Sequence, residues 1–147
     1  MRKAYQALAA LIALCVVLQA TWIALATFLL IGDLDDGKTI DKSYDGNWAD
    51  ALHGIFGTAV IPLLALLLLI VSFFAKIPGG SKWAGFVFLD VVVQIVLAFL
   101  AFGVPALGFL HPINAFVLLA LAGTAARRAR TAGAAPGVAT AQTAPAV

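Results

Sequence analysis

Four long apolar runs, at about 4–31, 49–75, 83–103 and 107–126, are separated by short polar segments. They carry no charge apart from Asp50 at the edge of the second and Asp90 within the third. A bilayer core of about 30 Å calls for roughly 20 apolar residues per helix, so each run is long enough to span. Open sheet edges cannot face hydrocarbon and four strands cannot close a barrel, which makes the runs helices. The expected fold is all-α, an integral membrane up-and-down four-helix bundle over residues 1–130. The tail, "TAGAAPGVATAQTAPAV" (131–147), has too few large apolar groups to offset its ordering entropy and is expected to be disordered. No internal repeat is expected: two helices begin with Leu-His, but the residues that follow do not track each other.

Composition agrees with this pattern. The chain is 63% hydrophobic and 11% charged, with a mean hydropathy of +1.06, leaving no room for a soluble catalytic domain. The first run is much longer than a cleavable signal core of about 7–15 residues, so it is read as a retained helix. Arg2, Lys3, Lys76, Lys82, Arg127, Arg128 and Arg130 fall on one side of the bundle, leaving Lys38 and Lys42 on the other. The positive-inside rule then puts both termini in the cytoplasm and "GDLDDGKTIDKSYDGNWAD" outside. Asp33, Asp35, Asp36 and Gly37 suggest a calcium loop, but the glycine is out of register and the closing Glu is missing. The single cysteine, Cys15, excludes a disulfide framework, a cysteine zinc site and a CxxCH haem attachment. Lipid is the expected solvent, and no nucleic-acid partner is expected.

The chemistry lies in two histidines, His53 in "DALHGIFG" and His111 in "GFLHPINAF", each about one turn below the outer surface. The second and fourth helices of such a bundle are diagonal partners, so the two imidazoles can face each other across the core. Two histidines at one depth suit the axial positions of a haem iron, and are too few for a bare zinc or copper ion. Gly54, Gly57, Gly108 and Ala115 remove bulk where a planar group would approach, although small residues also serve ordinary helix packing. Pro112 is acceptable in a first helical turn. Asn114 shares the His111 face and is expected to tune the ligand or a cofactor edge. Asp50, three residues before His53, is expected to cap the helix or to hold the imidazole's other N–H.

Pro62 is expected to free the Thr58 carbonyl and kink the second helix. Asp90 and Gln94 are the other polar residues at membrane depth, where an ionisable group faces the bundle interior or pairs. Asp90 is placed too deep to meet the haem; a proton path or quinol contact, and a structural hydrogen bond to helix one with Gln19 as the partner of Gln94, are equal expectations. Trp22, Trp48 and Trp83 are read as interfacial anchors.

With its histidines near the outer ends of helices two and four and an acidic residue three positions before the first, the chain resembles one half of the heme A synthase family. That resemblance implies haem ligation by His53 and His111, with Asp50 in the place where the family usually has Glu. Gly54 stands where that family usually has Arg, Pro112 follows the second histidine, and no loop cysteine pair exists. What the resemblance implies is therefore a haem-holding bundle like the small membrane cytochromes b, not oxidation of a haem methyl group. "LHGIFG" and "LHPINAF" also look like segments of small four-helix membrane proteins of actinobacteria, which implies a bacterial plasma membrane.

The expected function is that of a small b-type haem protein, with His53 and His111 on iron and Asp50, Gly57 and Asn114 around the cofactor. It would work in electron transfer or haem handling rather than as a stand-alone enzyme. A redox partner, a larger membrane complex or a homo-oligomer is compatible with this, and Lys38, Lys42 and Trp48 are candidates to meet the propionates. The competing expectation is a cofactor-free scaffold or accessory subunit. A transporter using Asp90 is weaker, because one four-helix unit has no inverted repeat.

Overall fold

The computed structural model describes residues 1–133, so the expected disorder of 131–147 falls almost wholly outside the described residues. Among these, the chain is helical, without strands, and has four helices long and apolar enough to cross a membrane. They are α1 (Arg2–Asp35), α2 (Trp48–Ser72), α3 (Gly80–Gly103) and α4 (Pro105–Thr131). Each agrees with an expected run, and the boundaries differ for physical reasons.

α1 continues four residues beyond its apolar run and stops at a glycine-terminated motif. Gly37 takes φ +82°, its N–H donates to Leu34 O, and the N–H of Lys38 donates to Asp33 O. This left-handed glycine closes a helix. The residues that suggested a calcium loop therefore largely form the last turn of α1 and its stop. Where α2 begins, the Oδ1 of Asn47 accepts from the N–H groups of Ala49 and Asp50, while its Nδ2 donates to Ala26 O at 3.0 Å. The capping role expected of Asp50 belongs to Asn47, which also ties α2 to α1.

The kink expected in α2 takes the form of a π-helical stretch, Phe56–Val60, with the N–H of Ile61 donating to Phe56 O. Pro62 has no N–H for the next turn, and a widened turn just before it takes up the mismatch. Between α3 and α4 only Val104 is non-helical, because Pro105 starts a tight 3-10 turn (Pro105–Phe109) that leads into the α-helical part of α4 at Leu110.

One end of the molecule is closely packed. The Tyr5 hydroxyl donates to Gly80 O at 2.9 Å, joining the starts of α1 and α3. A Cβ built on Gly133, just past α4, would lie 3.8 Å from Arg2 Cδ, so both termini of the described chain meet here. The buried cluster occupies this terminal half, with Tyr5, Ile12, Leu68, Ala84, Val87, Ala122 and Ala129 among its members. Small residues let the backbones approach closely, which drives packing where lipid is as apolar as the side chains. Val16, Ile61, Val91 and Leu118, one from each helix, form the last layer of that cluster. Beyond them, at the loop end, the first turns of α2 pack on α1 and α3 packs on the start of α4, while the contacts of α3 with α2 are made by the later part of α2, toward the terminal end.

Candidate functional site

Above that layer lies a cavity of about 520 Å³, in the range of small-molecule sites, with apolar walls contributed by all four helices. Val16, Ile61, Val91 and Leu118 line it as a floor, and His53 and His111 line it from opposite walls. The two half-buried rings meet with centroids 6.2 Å apart and planes at 63°. The structure thus brings together the histidines that the sequence singled out.

Each ring is held by a glutamine on the neighbouring helix, in the same way twice. The Nδ1 of His53 lies 3.2 Å from Gln19 O, and the Gln19 Nε2 returns a hydrogen bond to His53 O at 3.0 Å. The Nδ1 of His111 lies 3.1 Å from Gln94 O, and the Gln94 Nε2 donates to His111 O at 3.0 Å. A carbonyl oxygen can only accept, so in both clasps Nδ1 carries the proton and Nε2 keeps its lone pair. The Gln94 Nε2 also lies 3.2 Å from His111 Nε2, where a donor meets that lone pair. Gln94 was expected to pair with Gln19; instead each glutamine takes the histidine next to it.

The two clasps differ in their surroundings. On the α3–α4 side, Asn114 Nδ2 donates to Gln94 Oε1 at 2.8 Å and lies 3.4 Å from both the backbone O and the Oδ2 of Asp90. Asp90, placed by the sequence too deep to meet a haem, is thereby joined to the His111 clasp. On the α1–α2 side the place three residues after the histidine holds Phe56, whose ring meets Trp22 edge-on at 4.5 Å. Gln19 Oε1 is buried there without a partner. An orphaned acceptor in an apolar wall is costly and marks this side as short of one donor.

Gly57 serves the clasp directly. A Cβ there would sit 2.8 Å from Gln19 Nε2, so its hydrogen makes room for the amide that reaches His53 O. Gly54 faces open space, and with Pro112 and Ala115 it lines the cavity. Asp50 lies in the first turn of α2, its Oδ2 3.0 Å from where a Cβ on Gly46 would be; the partner found for the His53 Nδ1 is the Gln19 carbonyl. At the loop end Lys38 pairs with Asp33 at 2.6 Å, and Tyr44 donates to the same carboxylate.

The donor set constrains what can bind. Among the described residues no group of three or more His, Cys, Asp or Glu side chains converges, so a bare metal ion would lack ligands. Metal–imidazole bonds are about 2 Å, and each ring nitrogen lies about 1 Å from its centroid. Two rings opposed across one metal therefore keep their centroids about 6 Å apart. The observed 6.2 Å is of that order, but the rings meet edge to face and the His111 Nε2 already accepts from the Gln94 amide, a contact that a metal at that nitrogen would have to displace. Gln19 and Gln94 were the residues whose roles the sequence reading missed; their signal was an amide inside an apolar run. Comparison of the chain with protein-family models, with curated proteins and with solved structures gives no match.

Proposed function

We propose that the chain is a small membrane cytochrome b, an up-and-down bundle with cytoplasmic termini in a bacterial plasma membrane, and that His53 and His111 are the axial ligands of one haem. The supporting observation is the pair of clasps, which hold two imidazoles 6.2 Å apart with Nδ1 occupied by main-chain carbonyls. Ligating histidines commonly donate their other N–H in this way, which fixes the tautomer and raises the basicity of the coordinating nitrogen. Bis-histidine haem supplies a one-electron couple with no open site for oxygen. On this reading Gln19 and Gln94 orient the rings, Gly57 admits the Gln19 amide, Asn114 braces Gln94, and the apolar floor and walls exclude water. The likeness to one half of the heme A synthase family is then a likeness of haem-holding architecture.

The test is the visible spectrum of detergent-purified protein, oxidised and then reduced with dithionite. A sharp Soret band with resolved α and β bands on reduction is expected. A colourless protein that stays colourless when haem is supplied would overturn the assignment. The scaffold reading would then stand, since both clasps also satisfy the histidines as plain interhelical bonds.

A further inference from the structure

At the terminal end, away from the histidines, a groove of about 540 Å³ runs between α1 and α4. Ala10 and Ala13 form one wall, Ala120 and Gly123 the other, and Arg127 and Arg130 stand at its mouth. From Ala120 to Arg130 the groove descends about 15 Å at 1.5 Å per residue, half the thickness of a bilayer core. It is thus one leaflet deep, apolar below and cationic at the headgroup level.

Among the described residues, those two arginines have no acid to answer them. Six of the seven acidic residues lie between Asp33 and Asp50, and the seventh, Asp90, is bonded to Asn114, about 20 Å from Arg127 along α4. Two other basic side chains at this end lie against aromatic rings: Arg128 stacks over Trp83 at 4.9 Å, and Lys82 lies 5.7 Å from the Phe86 ring centre. The Arg127 side chain donates to Thr124 Oγ1 at 3.1 Å, and both Arg127 and Arg130 are exposed. A guanidinium pair over an apolar slot matches a phosphate ester carrying an acyl chain. A second copy of the chain would bring only like charges to the same place.

We propose that this groove is a specific site for one anionic phospholipid, with the phosphate on Arg127 and Arg130 and an acyl chain along Ala10, Ala13, Ala120 and Gly123. A Cβ on Gly123 meets nothing within 4 Å, so Gly123→Leu directs a side chain into the groove from a position that has room for its first carbon.

Native mass spectrometry of the detergent-released full chain tests this, titrated separately with phosphatidylglycerol and with phosphatidylcholine of identical acyl chains. Wild type is expected to retain one phosphatidylglycerol at least tenfold more tightly than phosphatidylcholine. Arg127→Gln with Arg130→Gln is expected to remove that preference, Gly123→Leu to weaken both lipids, and Lys76→Gln with Lys82→Gln to leave the preference intact. Inorganic phosphate at millimolar concentration is expected not to displace the lipid. The proposal is overturned if the preference survives the arginine pair, or if the lysine pair removes it equally, which would mean diffuse surface charge. It is also overturned if phosphate competes, or if the groove variants abolish a dimer instead of a lipid adduct. Should the arginine variant fail to fold, the Gly123 and lysine arms still decide.

Discussion

The two helical hairpins, α1–α2 and α3–α4, solve one problem with different materials. Both present a histidine whose Nδ1 is held by a main-chain carbonyl and whose own carbonyl receives a glutamine amide. Four residues before the glutamine the first hairpin has Cys15 and the second Asp90; three residues after the histidine the first has Phe56 and the second Asn114. The second clasp is consequently embedded in further polar groups, while the first is bordered by aromatic rings and keeps an unsatisfied oxygen. Ring position is shared by the hairpins, but the electrostatic setting of each ring is its own. If both rings bind one iron, the two axial ligands are not equivalent.

The largest expected effect falls equally on both sides: on the haem reading, His53→Ala and His111→Ala should each abolish the bound-haem spectrum, and full retention in either would remove that histidine as a ligand. Next comes Gly57→Ala, whose Cβ, 2.8 Å from Gln19 Nε2, must turn that amide off His53 O, so the lost bond, about 0.6 kcal/mol, should cancel most of the helix-propensity gain. Gly54→Ala, in open space one turn away, should stabilise the unloaded helix by about 0.5–1 kcal/mol. Thermal unfolding in one detergent reads both, and similar shifts would remove the steric argument.

Interhelical hydrogen bonds in membranes average about 0.6 kcal/mol, with a maximum of about 1.7. Gln94→Leu, which also strands Asn114, should therefore approach the upper figure, and Gln19→Leu, which removes an orphaned oxygen with its one bond, should stay below the average. Equal losses would show that the polar surroundings of the second clasp add nothing.

The smallest effect concerns the hairpin connections. The Ser43 hydroxyl and amide donate to Asp41 at 2.6 and 2.8 Å and hold its carboxyl below the ordinary range. A carboxyl with a lowered folded value stabilises its turn above the ordinary value of about 4, and that stabilisation is lost as pH falls through the lowered value. Resonances of residues 41–44 should shift in acid, whereas Val104, the non-helical link of the second hairpin, has no side chain to titrate. An Asp41 midpoint at the ordinary carboxylate value would show that the Ser43 contacts are not held in solution.

The four helices were legible because bilayer thickness imposes a length on every apolar run, and the histidines because imidazoles are conspicuous in such runs. The repeated clasp was hidden by spacing. Its partners are 34 residues apart in the first hairpin and 17 in the second, since a long polar loop joins one pair of helices and Val104 with a tight turn joins the other. The ring contacts go to main-chain carbonyls, which every residue possesses, so no residue type advertises them. Asp50 looked like a cap because acids favour helix starts, but Asn47 offers both an acceptor for α2 and a donor for Ala26. Pro62 announced an irregularity without saying that it would take π form one turn below His53.

The floor of Val16, Ile61, Val91 and Leu118 divides the packed terminal half from the loop half. The side chains of all four helices close the terminal half, so on the haem reading the helices could dock before the cofactor enters the loop half. The molecule resembles a cup whose base sets early, and a prosthetic group can arrive late without remaking the base.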